Sequence, residues 1–209
     1  YGDWSSDVCS SDLKLTSQIS QLHAAGIEIE TGKHTERVYD ADLIVISPGV
    51  PSTSPVMLEA ERRGIRIISE LEAASWFCSS PIIAVTGSNG KTTTTTLIGR
   101  ILSDAKKKHA VAGNIGTAFS SVVMELDQTT TAVLEVSSFQ LDYIESFHPD
   151  ISVLLNITPD HLDRYGGIFE RYIASKCRIF ENQTKKDFLI YCFDDIETQE
   201  HVRRFASLH

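Results

Sequence analysis

A lysine preceded by two glycines and followed by hydroxyl residues is the order of parts that a triphosphate needs. The string Thr86-Gly87-Ser88-Asn89-Gly90-Lys91-Thr92-Thr93 supplies it, directly after the apolar β-branched run Ile82 to Val85. A buried strand would aim this loop, and the glycines let backbone N–H groups come close to phosphate oxygens. Lys91 brings a positive charge to the outer phosphates, and the Thr92 hydroxyl can ligate Mg²⁺. The helix that follows turns its positive end toward the same anion. Gly87, Ser88, Asn89, Gly90, Lys91, Thr92 and Thr93 are therefore the expected ATP-binding residues. The general phosphate-loop pattern asks for glycine at the position held by Val85. An ordinary strand-to-helix turn is the competing reading, but this residue order has few purely structural uses.

Four further residues could join that chemistry. Glu135 ends the run Thr131 to Leu134. A lone glutamate is usually a cap or a solvated carboxylate, yet this one belongs at the same sheet edge as the loop, where it could hold Mg²⁺. His161 lies in a polar turn with Asp160, Asp163 and Arg164, just past the run Ile151 to Leu155. Single histidines are more often structural, so its position at the ligand edge is what singles it out. Asn114 sits between Gly113 and Ile115-Gly116, in a segment that permits a tight turn or close ligand approach. Lys176, on an amphipathic segment, reads by itself as a solvated lysine.

The elements that must position these groups alternate. Leu15, Ile19 and Leu22 have helical spacing that ends near Gly26. Leu43 to Ile46 is a short apolar run before Ser47-Pro48-Gly49, the mark of a buried parallel strand and a loop. Pro55 opens a helix that stops by Gly64; a strand at Ile65–Ile68 and a helix at Glu70–Phe77 follow. Ser79-Ser80-Pro81 reads as a linker. Beyond it, strands are predicted at Ile82–Thr86, His109–Ala112, Thr131–Val136, Ile151–Leu155 and Phe188–Tyr191. Helices are predicted at Lys91–Ser103, Thr117–Leu126, Phe169–Phe180 and near Glu197–Phe205. Such alternation predicts an α/β fold with mostly parallel, three-layer sheets and ligands beyond the carboxyl ends of the strands.

Composition narrows the partners. Of 209 residues, 42% are hydrophobic and 22% charged, which suits one large or two small globular domains. A net charge of -9 argues against a nucleic-acid surface, although a nucleotide needs only a local positive site. Cys9, Cys78, Cys177 and Cys192 form no C-x-x-C pair, so reduced thiols in a cytoplasmic protein are expected, not a disulfide framework or a zinc site. No apolar run reaches the ~18 residues of a membrane span.

The motifs together resemble the Mur ligase family, the ATP-dependent amide-forming enzymes of peptidoglycan (cell-wall) precursor synthesis. The loop T-G-S-N-G-K-T-T is the family's variant, and Glu135-Val136-Ser137-Ser138-Phe139-Gln140-Leu141 is similar to the branch that adds D-glutamate. Asn156 to Asp163 matches the family's N-x-x-x-D-H-x-D, whose histidine serves a second metal. Lys176, in Ala174-Ser175-Lys176-Cys177-Arg178-Ile179-Phe180, matches a lysine that is carbamylated by CO₂ in the family. The resemblance implies a partial Rossmann-like N-terminal domain followed by a phosphate-loop ATP-binding domain. It implies ATP, D-glutamate and UDP-N-acetylmuramoyl-L-alanine as substrates, and an acyl-phosphate intermediate. It also implies Mg²⁺ at two sites, with Thr92, Glu135, His161 and carbamylated Lys176 as ligands. Lys91, Glu135, His161 and Lys176 become the implied catalytic set. Ser47 and Gly49 of the S-P-G loop, with Asn114, Ser137 and His161, become the substrate contacts. A monomer with no membrane or nucleic-acid partner is expected.

The likeness runs from about Leu15 onward. Residues 1–13, rich in Ser and Asp, are expected to be a foreign or disordered leader. Residues 14–80 are expected to form a partial N-terminal domain and 81–209 a truncated central one. The amino-acid-binding domain of the family is expected to be missing, so the chain reads as a fragment inactive alone. A sister ligase adding a different amino acid, or a non-catalytic nucleotide-binding module, are the alternatives. A GTPase is disfavoured because no N-K-x-D string occurs.

Overall fold

A computed structural model describes residues 19–31 and 33–206. Residues 1–13 lie outside it, as do Leu15 and the start of the first predicted helix. Residues 19–24 are helical, and the chain reverses at Gly26, whose φ of 77° suits glycine.

The first unit is small. Strand β1 (Leu43–Ile46) leads through the Ser47–Val50 loop to helix α1 (Pro55–Arg62). Pro55 begins that helix because its missing N–H would have had no helical partner, and Met57 and Ala60 form its buried face. Strand β2 (Arg66–Ser69) returns parallel to β1, with Leu43 opposite Arg66 and Ile46 opposite Ser69. The run Leu43–Ile46 is only half covered: Ile46 is buried while Val45 is 49% exposed. Among the described residues this sheet has two strands, and nothing described covers the face that Val45 occupies.

Helix α2 (Glu70–Ser75) starts at Ser69, whose hydroxyl accepts from the Glu72 N–H at 3.2 Å. It stops short of the predicted Phe77 because the Phe77 and Cys78 N–H groups turn to the carbonyls three residues back, Ala74 O and Ser75 O, both at 3.1 Å, while the Trp76 indole donates to Glu72 Oε1 at 2.7 Å. Leu71 and Ala74 of α2 share one apolar core with Ala84, Leu134 and Leu154, so this helix packs on the larger sheet.

The second unit comprises β3 (Ile82–Thr86), α3 (Lys91–Asp104), β4 (His109–Gly113), β5 (Thr131–Glu135), α4 (Ser138–Leu141), β6 (Ile151–Leu154), α5 (Phe169–Cys177), β7 (Phe188–Tyr191) and α6 (Ile196–Ala206). All five strands are parallel, in the order β4-β5-β3-β6-β7. The central β3 is buried along nearly its whole length, as its apolar β-branched sequence requires. The predicted helix over Thr117–Leu126 is instead two short 3-10 turns, Phe119–Ser121 and Val123–Glu125. Val122, at φ -118°, separates the two turns, while Phe119 and Val123 reach the core. The predicted Phe169–Phe180 helix tightens into a 3-10 turn at Arg178–Phe180. On the edge strand β7 one face is open: Phe188 is 65% and Ile190 53% exposed.

Register brings the chemistry to one rim. Val85 lies opposite Glu135, Gly113 opposite Glu135, and Thr86 opposite Leu154. The segments leaving β3, β4, β5 and β6 therefore emerge side by side at the carboxyl edge.

Candidate active site

The loop after β3 is held from below by the segment after β6. Ser88 N–H donates to Asn156 O at 3.0 Å, and Asn89 N–H donates to Asn156 Oδ1 at 2.9 Å. The Ser88 hydroxyl donates to Thr158 O (2.8 Å) and accepts from Thr158 N–H (2.9 Å). Gly87 is required here, because a Cβ would come within 2.9 Å of Leu155 Cβ at a φ of 154°. Ser88 and Asn89 thus use their amides to shape the loop. The donors left over for an anion are the first-turn N–H groups of α3, from Lys91, Thr92 and Thr93, which have no carbonyl one turn earlier. Gly90 enters that turn at φ 84°.

Two ammonium groups meet above the loop. Lys91 Nζ donates to Gly87 O at 2.9 Å and to Ser88 O at 3.0 Å. Lys176 Nζ donates to the same Gly87 O at 2.8 Å and lies 4.5 Å from the Tyr172 ring centroid. Lys176 is not the solvated lysine that sequence alone suggests: it is 2% exposed, on the inward face of α5. Burial, then the nearby Lys91 charge, push its amine down to about 7 from the usual 10.5. A substantial fraction is therefore an uncharged, nucleophilic amine at neutral pH.

Glu135 is also buried, at 2% exposure. Its Oε2 accepts from the Thr92 hydroxyl at 2.7 Å and its Oε1 from the Asn114 amide at 3.1 Å. A hydroxyl and a carboxylate side by side are hard oxygen donors, the set that Mg²⁺ favours, and phosphate oxygens and water can complete its shell. Among the described residues, no group of three or more His, Cys, Asp or Glu gathers as a metal site, at this rim or elsewhere.

A cleft of about 250 Å³ gathers six of the predicted residues: Gly49, Lys91, Asn114, Ser137, His161 and Lys176 line it. His161 stands at the rim with its side chain 58% exposed, Nε2 3.5 Å from Asp160 Oδ2 and its ring edge-on to Phe139. Its backbone is left-handed at φ 49°, which turns the chain into the 3-10 helix Leu162–Tyr165. Ser137 caps α4 in a reciprocal box with Gln140, so its hydroxyl is tied to that cap. Ser47 is set apart, lining a narrow neighbouring crevice with Pro48, Phe139 and Arg164. Tyr172, Asn156, Thr158 and Phe139 were not expected as site-building residues. Tyr172 could have been found, because it precedes Lys176 by one helical turn and so shares its face.

Comparison with known proteins shows the family in which such a rim occurs. The Mur ligase middle domain family matches residues 85–208, and the MurD N-terminal domain family matches residues 9–56. The chain belongs to the Mur ligase family. It is 50% identical over 191 residues to the UDP-N-acetylmuramoylalanine–D-glutamate ligase of Salinibacter ruber, a match covering 89% of this chain and 42% of that protein. It is 51% identical over 196 residues to the same-named ligase of Chloroherpeton thalassium, covering 90% and 42%. The chain therefore spans about two fifths of the length of these curated relatives. Among solved structures, the UDP-N-acetylmuramate:L-alanyl-gamma-D-glutamyl-meso-diaminopimelate ligase from Neisseria meningitides superposes with a TM-score of 0.58 at 16% identity, over 88% of this chain and 63% of that one. A MurF ligase from Thermotoga maritima in complex with ADP gives 0.51 at 22%, over 77% and 45%. These structures bear on fold alone. Among the described residues, no helix is long and apolar enough to cross a membrane.

Proposed function

We propose that this chain carries the ATP-binding and phosphoryl-transfer part of a cytoplasmic ligase that joins UDP-N-acetylmuramoyl-L-alanine to D-glutamate. The observation that carries the reading is the convergence of Lys91, Asn114, His161 and Lys176 on one cleft, with Glu135 held beside it by Thr92 and Asn114. Relatives named for that reaction at about 50% identity support it.

In the reaction, a bond forms between the alanyl carboxylate and the γ-phosphorus, and the bond to the bridging oxygen breaks, releasing ADP. The glutamate amine then attacks the acyl carbon, loses a proton, and phosphate leaves. Lys91 and the first-turn N–H groups of α3 hold and neutralise the outer phosphates. Thr92 and Glu135 would hold Mg²⁺, which supplies further positive charge on those oxygens when bound. Lys176, uncharged in part at neutral pH, can take up CO₂ as a carbamate and so present a carboxylate-like group beside His161 for a second divalent ion. The loop Ser47–Gly49, whose Pro48 and Gly49 line the cleft, would meet the uridine half of the acceptor. The ligand role of Asn114 falls to its Oδ1 and its second amide hydrogen, because its backbone N–H and its other amide hydrogen donate to Glu135; Ser137, whose N–H and hydroxyl are both bonded to Gln140, would have to give up part of its cap to meet a ligand.

Calorimetric titration tests the reading. The chain should bind ATP with Mg²⁺ and, separately, UDP-N-acetylmuramoyl-L-alanine. Binding of ATP with no response to the UDP compound would instead favour a bare nucleotide-binding module.

A further inference from the structure

The two units are joined by contacts of unequal strength. On one side the joint is dense. Ser69 N–H donates to Tyr143 O at 2.8 Å, and the Glu72 carboxylate accepts the N–H groups of Glu145, Ser146 and Phe147 at 2.8–3.0 Å. Arg66 pairs with Glu145 and covers the Trp76 ring at 5.2 Å. On the other side, next to the cleft, the Ser47–Val50 loop is reached by Arg164, whose Nη1 donates to Pro48 O at 3.2 Å.

Arg164 is well placed for this role. Its guanidinium lies 4.0 Å from the Phe139 ring centroid. Phe139 in turn meets the His161 ring at 5.4 Å and stacks on Tyr165 at 6.2 Å. Pro48 and Phe139 line both the cleft and the crevice of about 20 Å³ beside it, so Arg164 spans the wall between them. Arg164 also rides on the 3-10 helix that His161 begins. A planar cation can stack on a ring and donate in its own plane at the same time.

We propose that Arg164 is a positioning residue, a strap that holds the Ser47–Val50 loop against Phe139 and so registers the nucleotide end of the acceptor substrate with the phosphate loop. The strap rests on contacts within this chain; its role toward the substrate rests on the function proposed above.

Hydrogen–deuterium exchange of the 209-residue chain tests the strap without any ligand. In Arg164→Ala, amides of residues 47–54 should exchange about tenfold faster, while residues 66–76 and 143–147 keep their rates. Arg164→Lys keeps a donor for Pro48 O but not the planar stack on Phe139, and should fall between the two, at about threefold faster exchange than the parent. Unchanged exchange at 47–54, or equal acceleration of all three segments, overturns the proposal. Titration supplies the second arm: Arg164→Ala should weaken UDP-N-acetylmuramoyl-L-alanine about tenfold and ATP with Mg²⁺ less than twofold. Equal weakening of both, or an unaltered affinity for the UDP compound, overturns the positioning role. A parent chain that binds neither compound defeats the functional reading, and the exchange comparison then decides the strap alone.

Discussion

Glu72 and Lys176 are both buried charged side chains, at 0% and 2% exposure, and their surroundings treat them in opposite ways. Burial alone would raise the Glu72 carboxyl. The Ser146 hydroxyl, the Glu145 N–H, the Trp76 indole and the Ser146 N–H more than offset this and hold it below its ordinary value. Lys176 has one carbonyl, Gly87 O, and shares it with Lys91. Among the described residues its three donors meet this one acceptor and a tyrosine ring, and the Asp160 and Asp142 charges do not offset burial and Lys91, so the proton becomes easy to lose. A buried charge with a full set of partners acts as a joint. One left under-compensated retains free energy that a ligand or a modification can release.

The contrast can be broken from either side. The largest effect is expected at the joint. Glu72→Gln removes the charge and leaves a backbone N–H of the Glu145–Phe147 turn without its acceptor, which should cost about 3 kcal/mol at pH 7 in denaturant unfolding. Because the folded carboxyl titrates below its ordinary 4.5, the stabilisation is whole above that pH and is lost as pH falls through the folded value. Parent and variant should therefore converge in acid. A gap that stayed constant down to pH 3 would show that the carboxylate's charge is irrelevant.

Removing the uncompensated charge should do the reverse. Lys176→Met is expected to stabilise the chain at pH 7 by on the order of 2 kcal/mol, since the unfolded chain holds a proton that the folded one partly gives up. Between about 7 and 10.5 the unfolded state binds more protons, so the parent gains stability as pH rises and the variant's advantage shrinks. A destabilised variant at pH 7 would mean that the bond to Gly87 O outweighs the desolvation.

Lys91→Ala sharpens the comparison further. It should lift the Lys176 amine from about 7 toward 10.5 without reaching it, because burial is the larger cause. The pH dependence of reductive methylation at Lys176, read by mass spectrometry, follows that change; no upward shift would remove the coupling between the two amines. The smallest effect is expected for Tyr172→Phe. It loses the 3.1 Å contact with the Ser88 hydroxyl but keeps the ring beneath Lys176. Stability should fall by about 1 kcal/mol while the pH profile of Lys176 stays in place.

Much of this was legible in the sequence. The run Ile82 to Val85 could be little other than a central parallel strand, and with β3 placed, the strand ends bearing Glu135, Asn114 and His161 had to share its edge. What escaped was whatever depends on contacts between distant segments. Nothing in Glu145-Ser146-Phe147 announces three amides waiting for Glu72, because backbone donors carry no side-chain signature. The burial of Lys176 was hidden for a similar reason: its own helix is amphipathic, and only the docking of α5 over the Gly87 loop decides which face is dry. The Thr117–Leu126 segment failed because burial of Phe119 and Val123 outweighed a weak helical preference.

Gly113 sets how near β4 can come to β5. A methyl group on it would sit 2.2 Å from the Glu135 carbonyl oxygen, at a φ of 99° that no bulkier residue adopts with ease. The hydrogen atom at that position thus acts as a spacer gauge. It lets the edge strand β4 lie close enough to β5 for the Asn114 amide to reach Glu135, and any thicker shim would draw that amide away.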